Sequence, residues 1–309
     1  MTKSLPRVGG RLIVGVLCSL LALNGAIPAG AASVRPRPLF NPTSNILPVP
    51  DFLSSGAAVI ANGVATYTNP CLSPGSLTWP VVEHTTACDQ YVLSAINTAR
   101  ARLHEPAMVL PSNWSRLSEI EQLFVAVNLE RLGLGYPAYV GLSLTLNGAA
   151  QFAAARGNDP NLVDNAQFRV AYAHGVPLWG GAWAGGFSPL SADYVWMYDD
   201  GWAGSRTATS NVACTSAHAG GCWGHRDELL GSDPGYNPGV GLGCRTCVVG
   251  AGFAIIDHGT ASSFSMLIER PAGRVGPLYF SWRRELTFLR GAVHAPPTST
   301  STTTNSTLP

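Results

Sequence analysis

His225 stands between Gly224 and Arg226 at the expected start of a short helix. A glycine before it lets backbone and ligand approach closely. The imidazole could bind a metal, donate a hydrogen bond or take a proton, or it could cap the helix as a structural group. Asp199 and Asp200 end the helix before it, three and four residues after Trp196. Carboxylates at a helix C-terminus oppose the macrodipole, so a cationic partner such as a histidine, Arg226 or a metal is expected, unless Asp-Gly merely forms the turn. His174 lies in Ala171-Tyr172-Ala173-His174-Gly175, at an expected strand-to-turn junction, where it is either a site residue or a hydrogen-bonded support. Trp179, Trp183, Trp196, Trp202 and Trp223 cluster in the same region. Their rings could stack on sugars or line an apolar groove for lipid, although core packing is the commoner use. Trp196 is expected in the core, while Trp183 and Trp202, beside glycine-rich loops, are expected at the surface.

The cysteines carry a second chemistry. Of the seven, Cys18 lies in the N-terminal apolar run, which leaves Cys71, Cys88, Cys214, Cys222, Cys244 and Cys247. An even set in an exported chain reads as disulfides. Several pairings are open, and spacing favours Cys71–Cys88, Cys214–Cys222 and Cys244–Cys247. The rival reading of Cys244-x-x-Cys247 is half a zinc site. No G-x-S-x-G elbow, Walker loop or dinucleotide fingerprint is present, and no cysteine is left over as a thiolate nucleophile. A net charge of +1 with sparse charged residues gives no field for nucleic acid or an anionic membrane. Asn113-Trp114-Ser115 and Asn305-Ser306-Thr307 fit the N-glycosylation pattern.

The elements that must position these groups begin after residues 1–32, which read as a signal peptide. Lys3, Arg7 and Arg11 precede the apolar run Leu12 to Leu23, and small residues follow at Ala29 to Ala32. Residues 33–116 form an N-terminal extension: a Pro-rich leader, a disulfide loop and one helix from about Asp89 to Leu103. The main domain, 117–284, opens at Ser118, whose partner three residues on, Glu121, makes a capping box. Ile120, Leu123, Phe124, Val127 and Arg131 follow with helical spacing, and Gly133 is expected to close the helix in a left-handed conformation. A second, alanine-rich helix runs from about Leu144 to Arg156. A third starts at Ser188-Pro189 and stops at Gly201. A short helix follows His225, and strands are expected near Val248 to Ile256, Phe264 to Ile268 and Leu278 to Trp282. Helices first and strands later is an α+β order. Residues 285–309 form a C-terminal segment whose Ser/Thr/Pro-rich tail is expected to be disordered. No later stretch approaches ~18 apolar residues, so no transmembrane segment is expected after the leader.

These features together resemble the CAP superfamily (SCP-like extracellular domains of cysteine-rich secretory proteins, antigen 5 and pathogenesis-related proteins), bacterial type. The resemblance rests on Asn128-x-x-Arg131 with Gly135-Tyr136-Pro137, on Trp196-Met197-Tyr198-Asp199-Asp200-Gly201, and on Cys222-Trp223-Gly224-His225-Arg226-Asp227-Glu228-Leu229-Leu230. Gly239-Val240-Gly241-Leu242-Gly243 completes it. It implies a three-layer α-β-α sandwich with a central antiparallel sheet, and a cleft holding two histidines and two acids that bind a divalent metal such as zinc or magnesium in some members. Carried over, His225 and His174 are the histidines and Asp199 is one acid. Gly180-Gly181-Ala182-Trp183-Ala184 stands where the family's other acid belongs and holds no carboxylate. The expectation is a secreted binding module for a lipid, a cell-wall glycan or an extracellular protein, its cleft formed by His174, Trp183, Asp199, Trp202 and His225. The alternatives are a weak hydrolase of peptide or cell-wall bonds using His225 and Asp199, and a structural surface protein whose cleft the extension fills.

Overall fold

Two short segments rich in glycine and small residues set the architecture, because they let a helix lie against a sheet at backbone distance. In the computed structural model the residues described are 41–47, 59–61, 64–66, 69–74, 80–82, 84–161, 172–173, 176–177, 179–231, 244–256 and 261–289. All belong to one unit, 35–309. In chain order the first elements are β1 (Val59–Ala61), β2 (Val64–Thr66), β3 (Leu72–Pro74), β4 (Pro80–Val82), α1 (Thr86–Arg102) and α2 (Glu119–Gly133). Then come β5 (Gly141–Ser143), α3 (Leu144–Arg156), β6 (Tyr172–Ala173), β7 (Val176–Pro177), β8 (Trp179–Gly186) and α4 (Pro189–Tyr198). The last are α5 (Gly224–Leu230), β9 (Val248–Ile256), β10 (Ala261–Glu269), β11 (Leu278–Ser281) and α6 (Trp282–Leu289).

The chain is α+β, with a five-stranded sheet in the order β11-β5-β9-β10-β8. The sheet is mixed rather than wholly antiparallel. β8, β10 and β9 pair antiparallel, as do β11 and β5, but β5 runs parallel to β9 through Leu142 and Val249. The reason is connectivity: α3, β8, α4 and α5 all intervene between β5 and β9, and so long a crossover can return the chain in the same direction where a hairpin cannot.

Along β9, alternate residues serve opposite faces. A Cβ on Gly250 or Gly252 would fall 2.3 Å from the backbone of Leu146 or Ala150 in α3, so only glycine lets this helix sit so low. Val248 and Leu267 pack with Leu146 and Ala150 on that side. Val249, Ala251, Phe264, Met266 and Ile268 point the other way, into the core with Leu123, Phe124 and Val127 of α2 and Leu190 and Trp196 of α4.

The starts of α2 and α4 match expectation, whereas α1 begins at Thr86, three residues ahead of the expected Asp89. Glu121 accepts from the Ser118 backbone at 2.8 Å, and Ser188 accepts from the Ser191 N–H at 3.3 Å. Two helix ends differ. The left-handed residue after α2 is Gly135, with φ +81°, whereas Gly133 is the last helical residue, pressed against the Arg100 guanidinium. α4 ends at Tyr198, ahead of Gly201, where Asp199 and Asp200 turn their side chains to other elements.

The extension shares the domain's core. Ile46, Cys71, Cys88, Val92 and Ile96 lie in one buried cluster with α2, α4 and the sheet. Cys71–Cys88, Cys214–Cys222 and Cys244–Cys247 are each within disulfide distance. α6 crosses position 284 and turns Trp282 edge-on to Phe124, while Asn113, buried, donates to Glu285 at 3.1 Å. Among the described residues no helix is long and apolar enough to cross a membrane. Residues 1–32, expected as a signal peptide, His174, the glycines from 239 to 243 and the tail from 290 onward lie outside the described residues.

Candidate binding cleft

Asp200 is the organising residue. It leaves the C-terminal end of α4, the unfavourable end for an anion, and reaches the N-terminal end of α5, the favourable one. Its Oδ2 accepts the otherwise unpaired backbone N–H groups of His225 at 2.9 Å and Arg226 at 3.3 Å. Its Oδ1 takes the Asn211 amide at 2.8 Å and the His225 Nδ1 at 2.7 Å. Trp223, in a left-handed conformation with φ +64°, closes the approach by donating its N–H to the Asp200 carbonyl at 2.9 Å. Burial pushes the Asp200 carboxyl above its ordinary value, against the partial pull downward of His225 and the two backbone N–H groups. With four donors aimed at its two oxygens, we take it as the carboxylate.

His225 has carboxylates at both ring nitrogens. Nδ1 meets Asp200, and Nε2 lies 3.4 Å from Asp159, just beyond α3. Burial alone would lower its pKa, but Asp159 and Asp200 outweigh it and raise it to about 10. Around neutral pH it is an imidazolium with both N–H groups directed at acids. Glu228 sits one helical turn after His225 and accepts from the Gly181 N–H at 3.0 Å. Burial raises its pKa to about 8, so it keeps its proton at neutrality. The segment 180–184 has no carboxylate of its own, and Glu228 brings one to it from α5.

His225, Asp200 and Asp159 line a cleft of about 410 Å³, walled by Trp183, Phe187, Val195 and Val212. Trp183 is held by its Nε1, which donates to Ser263 at 2.7 Å. Val212, at the rim, is 83% exposed. Ser210 and Asn211 complete the polar side.

Of the expected site residues, the structure brings His225 and Trp183 together. Asp199 is turned elsewhere: its Oδ1 accepts from Asn45 at 2.7 Å and its Oδ2 from Ser210 at 2.5 Å. Trp202 is half-buried and is not among the cleft's lining residues. Trp196 is fully buried, as expected of a core residue. Among the described residues no three His, Cys, Asp or Glu side chains are grouped to hold a metal ion. The described part of the extension supplies none of the cleft's lining. Asp159, Glu228 and Asn211 were not singled out from the sequence. Glu228 was accessible through its spacing from His225 on one helix, whereas Asp159 reads locally only as the Asn-Asp-Pro that ends α3. Comparison with protein-family models, with curated proteins and with solved structures finds no match for this chain.

Proposed function

We propose that this chain is an exported, CAP-like binding module, a three-layer α-β-α arrangement, whose cleft takes a neutral, hydroxyl-rich ligand of the cell-wall glycan kind. The observation that carries this reading is the His225–Asp159 pair at the mouth of an aromatic-walled cleft. A sugar hydroxyl beside the pair accepts from the imidazolium N–H and donates to the carboxylate, while the Trp183 ring offers an apolar face to a pyranose. Two carboxylates against one imidazolium leave the cleft net negative, which disfavours phosphate or carboxylate headgroups and so weighs against anionic lipid. An imidazolium has no lone pair with which to ligate a metal or act as a general base, which supports binding over metal- or base-assisted hydrolysis. Helices on both sides of the sheet support the layered arrangement, and three disulfides support an extracellular setting.

Isothermal calorimetry of the purified chain with neutral cell-wall oligosaccharides tests the reading. Saturable binding is expected, weakened about tenfold or more in Trp183→Ala and in Asp159→Asn, consistent with loss of a stacking face or a charged hydrogen bond. Binding to anionic vesicles but not to oligosaccharides would replace the glycan with a lipid. Turnover of peptide or glycan bonds that vanishes in His225→Ala would make the chain a hydrolase.

A further inference from the structure

We infer that Asn45 is a positioning residue of the cleft, so that the N-terminal segment is a working part of the site. The inference rests on reading the His225 cleft as the binding site.

Asn45 uses both ends of its amide on the residues that flank Asp200. Its Nδ2 donates to the Asp199 carboxylate at 2.7 Å, and its Oδ1 accepts the Gly201 N–H at 2.7 Å. Asp200 is therefore bracketed on both sides by one side chain from a segment more than 150 positions away. The next residue completes the clamp. The Ile46 N–H satisfies the Tyr198 carbonyl at the end of α4 at 2.8 Å, and the Tyr194 hydroxyl donates to the Ile46 carbonyl. Four residues before Asn45, Asn41 donates to the Asp227 carboxylate on α5 at 3.1 Å. The strap thus fastens both helices whose junction holds Asp200 and His225.

Gly201 is the residue that permits this. A Cβ there would lie 2.5 Å from the Trp223 ring and 2.7 Å from the Asn45 Oδ1. The effect reaches the cleft wall as well, because Asp199, held by Asn45, accepts in turn from Ser210, which lines the cleft. Loss of the amide removes one partner of Asp199, which keeps Ser210, and the partner of the Gly201 N–H, so the backbone on both sides of Asp200 loses an anchor and the aim of its carboxylate at the His225 Nδ1 loosens.

The test uses the full chain with Asn45→Ala and Asn45→Leu. The leucine variant keeps the branched shape of asparagine without adding charge, but it can neither accept from Gly201 nor donate to Asp199. It therefore serves if the alanine variant does not fold. Long-range proton–nitrogen NMR follows the His225 ring between about pH 6 and about pH 11, where the wild-type ring titrates near 10. In the variants the midpoint is expected to move down by on the order of one pH unit, and oligosaccharide affinity to fall about tenfold. A lowered melting temperature with an unmoved His225 titration would overturn the inference and leave Asn45 merely structural. If the wild type binds no oligosaccharide, the glycan reading fails, yet the titration still decides the Asn45 claim: a shift upholds it and no shift ends it.

Discussion

The His225–Asp200–Asp159 arrangement makes a definite statement about pH. His225 has a folded pKa of about 10, above its ordinary 6.5, and Glu228 one of about 8, above its ordinary 4.5. For each group the folded state holds its proton to higher pH than the unfolded chain, so stability falls as pH rises. The Glu228 contribution is complete below about 4.5 and is lost up to about 8, and that of His225 is lost between about 6.5 and about 10. Thermal melts should therefore show a melting temperature that declines steadily from mildly acidic to alkaline pH. In Glu228→Gln the decline between about pH 5 and about pH 8 should flatten, because the amide mimics the protonated acid and cannot ionise. An unchanged slope in that variant would mean that Glu228 titrates normally and lies in water. These partnerships were only partly legible. The sequence singled out His225 and demanded a cation for the acids ending α4, which Asp200 finds in His225. It favoured Asp199 as the acid of the site, but residues 199 and 200 differ in direction, and direction depends on where α5 and Asn45 arrive. Asp159 was invisible because nothing local distinguishes a helix-terminating aspartate from one that faces a histidine across the fold.

At the scale of elements, hydrophobic spacing and caps located the helices well because those signals are local. Ser118 with Glu121, and Ser188 with Pro189, mark starts that the structure keeps. Strand direction was not local. β5 is only three residues long and its parallel partner β9 lies more than a hundred positions on, so its sense follows from the crossover alone. The packing of α3 was half legible: its alanines announced close approach, and the receiving surface proves to be glycine in β9. That contact is testable. In Gly252→Ala the new methyl must occupy space 2.3 Å from the Ala150 carbonyl, and backbone cannot yield as a flexible side chain can. A loss of about 2–3 kcal/mol is expected in urea unfolding, at the upper end of ordinary overpacking. Gly148→Ala, on the outer face of the same helix with open space around it, should instead stabilise by a few tenths to about 1 kcal/mol. The opposite signs of two identical substitutions separate packing from helix propensity.

For the molecule as a whole, the question is why the domain carries its extension, and the interior answers it. Arg100, on α1, is buried and donates to Glu130 of α2 at 2.6 Å and to the Pro106 carbonyl at 2.6 Å. Tyr198 of α4 donates to the same glutamate at 2.9 Å, and Arg226 of α5, with a nitrogen 3.7 Å from Glu105, donates to the Met197 carbonyl. Asp193, also buried, is pushed well above the usual carboxylate range by burial and by Glu130. With Arg226 also lying over the Tyr198 ring, polar groups from α1, α2, α4 and α5 meet in a single buried network, and the extension supplies one of its two guanidinium groups. No periodicity signals such a network, since its members stand isolated among apolar neighbours in sequence. Removing one partner of a buried ion pair leaves the other's charge uncompensated, which costs about 3–5 kcal/mol. Arg100→Met, of similar length and without charge, should therefore lower stability by that amount. Arg102→Met, two residues on and at the surface, where its contact to the Leu47 carbonyl is exposed, should change it by about 0.5 kcal/mol or less. If both substitutions cost the same small amount, α1 is an appendage. If Arg100→Met alone collapses the transition and also abolishes oligosaccharide binding, the extension and the cleft are one cooperative structure, joined through Glu130 and Tyr198 to the helix that leads into Asp200.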